Sequence, residues 1–98
     1  MKNTAVTLPD DARPVLLRGV RTHWDAVRST WVLLAPERAM ALDEIGAAIL
    51  AETDGETTFG EIVARLAAKY NAPPEQIATD ARRFLTGLIE RRMAEARP

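Results

Sequence analysis

The run Trp31-Val32-Leu33-Leu34-Ala35-Pro36-Glu37-Arg38 constrains the fold of this chain more than any other stretch. Trp, Val and Leu suit a pleated, half-buried surface, so its first part predicts a strand. Pro36 ends that strand, because proline has no N–H to give to a sheet ladder. The segment beyond it, Arg38-Ala39-Met40-Ala41-Leu42, then begins a separate strand, placed at a sheet edge. An edge strand carries a row of unpaired N–H and C=O groups, which folded proteins usually blunt. Left open, such an edge accepts an extended peptide as one further strand.

On the N-terminal side, Leu16, Val20 and Trp24 share one parity and Arg21 and His23 the other, which predicts a strand from Val15 to Trp24. Asp25-Ala26-Val27 supplies a turn, and Ser29 to Ala35 gives the second strand. Everything after Leu42 has a helical pattern. Asp43 is placed to cap a first helix that buries Leu42, Ile45, Ala48 and Ile49, and Asp54-Gly55 stops it. Thr58 and Glu61 form a capping box for a second helix with apolar positions Phe59, Ile62, Val63, Leu66, Ala67 and Tyr70. Pro74 suits the first turn of a third helix, whose stripe is Ile77, Ala81, Phe84, Leu85, Leu88 and Ile89 and which runs to about Met93. Gly87 interrupts that helix at a cost of about 1 kcal/mol against alanine, which either close approach of another backbone or plain drift would explain. The expectation is an α+β domain, a three-stranded antiparallel sheet followed by three helices, with a winged helix–turn–helix-like topology. Residues 1–14, polar and punctuated by Pro9 and Pro14, are expected to form a flexible or loosely docked arm before a single domain at 15–98.

The chemistry on offer is thin. His23 is the sole histidine and there is no cysteine, so no metal, iron–sulfur or thiol site is expected. Asp43-Glu44 is an adjacent pair in a helix first turn, where acids belong for capping. No phosphate-cradling glycine loop is present. Neither catalysis nor a cofactor is expected of this chain. A net charge of -1 argues against a general nucleic-acid binder. No apolar run approaches the ~20 residues of a membrane span and no signal-peptide core opens the chain, so a cytoplasmic protein is expected. Charge is uneven along the sequence: five arginines from Arg13 to Arg38 oppose Asp25 and Glu37, whereas six acids between Ala39 and Pro73 oppose Arg65 and Lys69.

The segment from Trp31 to Arg38, with Arg21, Asp25, Arg28, Leu42-Asp43-Glu44-Ile45, Asp54-Gly55, Glu61-Ile62, Tyr70, Asp80, Phe84-Leu85 and Leu88, resembles the PqqD family of pyrroloquinoline quinone biosynthesis. The likeness covers most of the chain, and the Pro-Glu-Arg segment with the downstream Asp-Gly is its specific part. Arg91-Arg92-Met93 departs from the family's usual glycine-containing ending. The resemblance implies a peptide chaperone, a recognition element that binds a PqqA-like precursor and presents it to a PqqE-like radical S-adenosylmethionine enzyme. It places the bound leader along Arg38, Ala39, Met40, Ala41 and Leu42, against the third helix. Ala81 and Leu85 would then form an apolar floor, with Arg82 or Arg83 at the rim. Two other readings stand beside it: a DNA-binding winged-helix regulator, suggested by topology and by Arg82-Arg83 and Arg91-Arg92, and an accessory subunit that never touches the substrate. The open edge also leaves room for self-pairing, so the expected state is a monomer or a weak homodimer.

Overall fold

In a computed structural model, which describes residues 8–98, the chain forms β1 (Arg13–Leu16), β2 (Arg21–Asp25), β3 (Thr30–Ala35), β4 (Arg38–Leu42), α1 (Glu44–Ala51), α2 (Phe59–Tyr70), α3 (Pro74–Glu90) and β5 (Ala94–Arg97). The expected three-stranded antiparallel sheet is present in the order β2-β3-β4, with Trp24 opposite Trp31 and Leu33 opposite Met40. The three expected helices follow it. Asp43 caps α1 by accepting from the Gly46 N–H at 2.7 Å. Thr58 and Glu61 complete both halves of the capping box on α2. Asn71 closes α2 in the left-handed conformation, and Pro74 opens α3.

Two expectations about strands and helix ends fail, for physical reasons. The single strand from Val15 to Trp24 is broken at Arg18-Gly19, where Gly19 takes φ +86° and the Val20 N–H bonds the Leu17 carbonyl. Glycine enters that region without the penalty a Cβ incurs, so β1 and β2 diverge into different sheets. The third helix stops at Glu90, not near Met93. The Arg92 N–H bonds the Ile89 carbonyl and the Met93 N–H bonds the Leu88 carbonyl, a Schellman end with Arg92 at φ +61° where glycine is favoured. The chain then returns as β5 and pairs antiparallel with β1, Arg13 opposite Arg97 and Leu16 opposite Ala94. Ala and Glu favour helix locally, and only the distant pairing makes Ala94–Arg97 a strand.

Residues 8–14, expected in the arm, belong to the body. Leu8 and Ala12 are buried, Pro14 lies in β1, and the Gly60 and Phe59 N–H groups bond the Asp10 and Ala12 carbonyls. The remainder of the expected arm, residues 1–7, lies outside the described residues. The core is Leu33 and Leu42 from the sheet against Ile49, Phe59, Ile62, Leu66, Leu85 and Leu88 from the helices. Ile45, expected on the buried face of α1, is instead 38% exposed. The loop from α1 to α2 is pinned by Asp54, whose carboxylate accepts from the Glu56 and Thr57 N–H groups and the Thr57 hydroxyl. Those bonds, the Glu56 one foremost, hold its pKa below the ordinary 3.8. No described helix is long and apolar enough to cross a membrane.

Candidate functional site

The site is built on β4, which has β3 on one side and no strand on the other. A two-residue turn, Pro36-Glu37, joins the two strands, with Glu37 at φ +63°. A turn of that length closes on a hydrogen-bonded pair, here Ala35 and Arg38. Alternation along the ladder then fixes every other residue: Arg38, Met40 and Leu42 bond back to β3, and Ala39 and Ala41 turn their N–H and C=O groups to the free edge. The exposed methyl side chains of Ala39 and Ala41 leave those backbone groups accessible.

Helix α3 forms the opposite wall and runs antiparallel to β4. At one end the Arg38 guanidinium donates to the Arg91 carbonyl at 2.8 Å, and Arg91 Nη1 lies 4.0 Å from Met40 Sδ. In the middle the Phe84 ring packs on Gly46, where an added Cβ would lie 3.4 Å from it. At the other end α1 and α3 border a cleft of about 230 Å³ lined by Ile45, Ile49, Tyr70, Ile77, Asp80 and Ala81. Asp80, Gly87 and Arg91 fall within ~20° of one line on a 3.6-residue helix, so Gly87 stands on the same stripe between the two ends. A Cβ built on Gly87 meets nothing within 4 Å. The fold therefore has no packing reason for glycine at this position.

Of the residues expected at the site, the five of β4 share one strand, and of the three on α3 only Ala81 reaches the recess. Ala81 and Leu85 are 1% and 0% exposed, because they occupy the centre of the helix's buried stripe. Leu85 supports the groove from within, whereas Ala81 still lines the α1–α3 cleft. Arg82 is turned away from the rim: its Nε donates to the Leu8 carbonyl at 3.0 Å, its Nη2 pairs with Asp10 at 2.7 Å, and its guanidinium stacks 4.5 Å from the Phe59 ring. Arg83 is the member of that pair left exposed. The surface is instead supplied by Ile45, Ile77, Phe84 and Gly87. Arg82→Ala should accordingly leave ligand affinity within about twofold while loosening the N-terminal segment by about 1 kcal/mol. Faster amide exchange at Ala12, Phe59 and Gly60, with unchanged exchange in β4, is the expected signature. Among the described residues no three His, Asp or Glu side chains gather in a way that would hold a metal ion.

Comparison with known proteins agrees with this architecture. The family model described as coenzyme PQQ synthesis protein D, PqqD, matches residues 30–94. A Rhizobium meliloti protein named PqqA binding protein is 54% identical over 80 residues, 82% of each chain. A Bradyrhizobium diazoefficiens protein of the same name is 41% identical over 88% of this chain and 84% of its own. The solution structure of the PqqD part of Methylobacterium extorquens PqqCD, described as a functional and stand-alone recognition element for ribosomally synthesized, post-translationally modified peptides, superposes with a TM-score of 0.78. It is 40% identical over 91% of this chain and 95% of that one. The crystal structure of PqqD from Xanthomonas campestris, 38% identical over 88% of this chain and 96% of that one, gives a TM-score of 0.55. With the edge strand, the helix wall and these relatives in agreement, the chain belongs to the PqqD family.

Proposed function

We propose that this protein is a non-enzymatic, cytoplasmic binding module that takes a PqqA-like precursor peptide as an added strand on β4. Helix α3 forms the second wall, and the complex presents the peptide to a PqqE-like radical S-adenosylmethionine enzyme. The observation that carries this reading is the free edge of β4 at Ala39 and Ala41, facing a helix stripe with open space above Gly87. Main-chain bonds to the edge supply affinity, and side chains inserted on alternate residues supply selectivity. The α1–α3 cleft with Ile45 and Ile77 is sized for an apolar side chain.

Titration with a synthetic Rhizobium meliloti PqqA peptide tests the reading in the absence of any enzyme. A Kd near 1 µM, about −8 kcal/mol, with amide shifts confined to β4 and α3, is the expected result. An absence of heat and of shifts at tens of micromolar peptide would overturn it. We read the β2–β3–β4 sheet followed by three helices as a winged helix–turn–helix-like arrangement used for peptide rather than DNA. The net charge of -1 argues against a general duplex binder.

Gly87→Ala separates stability from binding. Alanine should stabilise α3 by about 1 kcal/mol, raising Tm by about 4–8 °C. The same methyl stands where the incoming backbone must pass, so affinity for the peptide should fall about threefold or more. A rise in both Tm and affinity would mean that the bound chain keeps clear of this position.

A further inference from the structure

The described surface carries a second recessed face, on the other flank of α1 from the groove. It is a cleft of about 450 Å³ between the β2–β3 hairpin and the outer side of α1, closed at the far end by Tyr70 of α2. Trp24 and Trp31 form its upper wall as a cross-strand pair, ring centroids 5.4 Å apart and inclined at 64°. Each remains more than two-fifths exposed, at 46% and 42%. Ala47 and Ala48 line it with small side chains, and Asp43 and Glu44 add two carboxylates, one oxygen of Asp43 already accepting from the Gly46 N–H. Lys69, the lining's own cation, is held 5.5 Å over the Tyr70 ring.

Half-exposed tryptophans are expensive to leave in water and are the residue type most enriched where protein interfaces concentrate their energy. The surroundings specify what would cover them. Indole faces attract a cation, small alanine side chains leave room for an aliphatic stem, and two acids would meet the charged head. That combination selects an arginine or lysine side chain presented by a protein surface. The position matters as much as the chemistry. The cleft's lining comes mainly from β2, β3 and α1 and includes neither Ala39 nor Ala41 nor any residue of α3, sharing only Tyr70 with the α1–α3 cleft, so a partner seated there leaves the β4 edge uncovered.

From this charge complementarity and placement we infer that the Trp24–Trp31 cleft docks a basic side chain of the enzyme that receives the peptide. This rests on the peptide-presenting role proposed above. A module that holds a substrate along one edge needs a second surface from which to hand it over, and this cleft pairs two tryptophans with two acids.

The test uses the full chain with two substitutions, Glu44→Lys and Trp24→Ala, and two separate titrations, against Rhizobium meliloti PqqA peptide and against PqqE of the same organism. Glu44 is exposed in a helix first turn, so its reversal keeps the fold even if loss of the tryptophan pair loosens the hairpin. Both variants should bind the peptide within about twofold of the parent and bind the enzyme at least tenfold more weakly. Enzyme affinity unchanged in Glu44→Lys and in folded Trp24→Ala, or a parent that binds peptide and not enzyme, overturns the inference. So does a parallel loss of peptide affinity, which would make the cleft part of the peptide site. A concentration-dependent dimer of the parent that Glu44→Lys abolishes in sedimentation would assign the cleft to a second copy and overturn it as well. A parent that binds the enzyme and not the peptide sinks the peptide-presenting role instead, and is read from the other titration.

Discussion

Ala41→Pro is expected to weaken binding of a PqqA peptide by tenfold or more while leaving the far-ultraviolet circular dichroism spectrum close to the parent's. The Ala41 N–H points to the free edge, so in the unliganded protein it bonds only water. Proline removes it without breaking any bond to β3, and an edge strand is where a sheet tolerates proline. The bound peptide, in contrast, loses a ladder bond and keeps an unpaired buried carbonyl, a penalty of about 1–3 kcal/mol. Met40→Pro is the matched contrast. Its N–H faces β3 opposite Leu33, so the substitution should damage the fold and binding together. Calorimetry and circular dichroism on both variants give the answer, and an Ala41→Pro protein that binds like the parent would remove strand addition from consideration.

Leu85→Ala should lower stability by about 2–5 kcal/mol, because it empties a core site that is 0% exposed. For a domain of this size that is a fall in Tm of roughly 10 °C or more. Affinity measured well below the new midpoint, on the fraction still folded, should stay within about threefold of the parent. Leu85 touches the ligand only through Phe84 and the helix that carries both. A loss of affinity larger than the loss of folded protein would mean that α3 shifts on binding and brings Leu85 to the surface.

The elements that were legible in the sequence are those specified by near neighbours. Pro36 announced the β3–β4 turn and the edge, Asp43 and Thr58 announced the starts of α1 and α2, and the 3.6-residue stripes announced all three helices. What escaped depends on partners far along the chain. Ala94–Arg97 is a strand only because β1 lies beside it, and Arg18-Gly19 is a turn that the parity of Leu16, Val20 and Trp24 conceals. The site divides in the same way. Strand alternation gives β4, whereas the helix wall requires knowing which part of the α3 stripe is its centre. Ala81, Leu85 and Leu88 are that centre and are covered. Ile77 and Phe84 flank it and stay partly open, a distinction that apolar spacing alone does not make. Arg82 looked like a rim charge because its partners, Leu8 and Asp10, lie more than seventy positions away.

The pairing of β1 with β5 divides the molecule by how far along the chain its contacts reach. Every element of the groove, from β2 through α3, is contiguous, so assembling it closes only short loops. The β1 strand has no such partner nearby: Arg13 waits for Arg97, and closing a loop of that length precedes any reward from the contacts it brings. Leu8, Ala12 and Pro14 are meanwhile tied to Arg82, Phe59 and Gly55, and β5 completes the cover over β1. The binding surface is thus local, and the seal on the core non-local, so loosening the chain ends should cost stability well before it costs recognition.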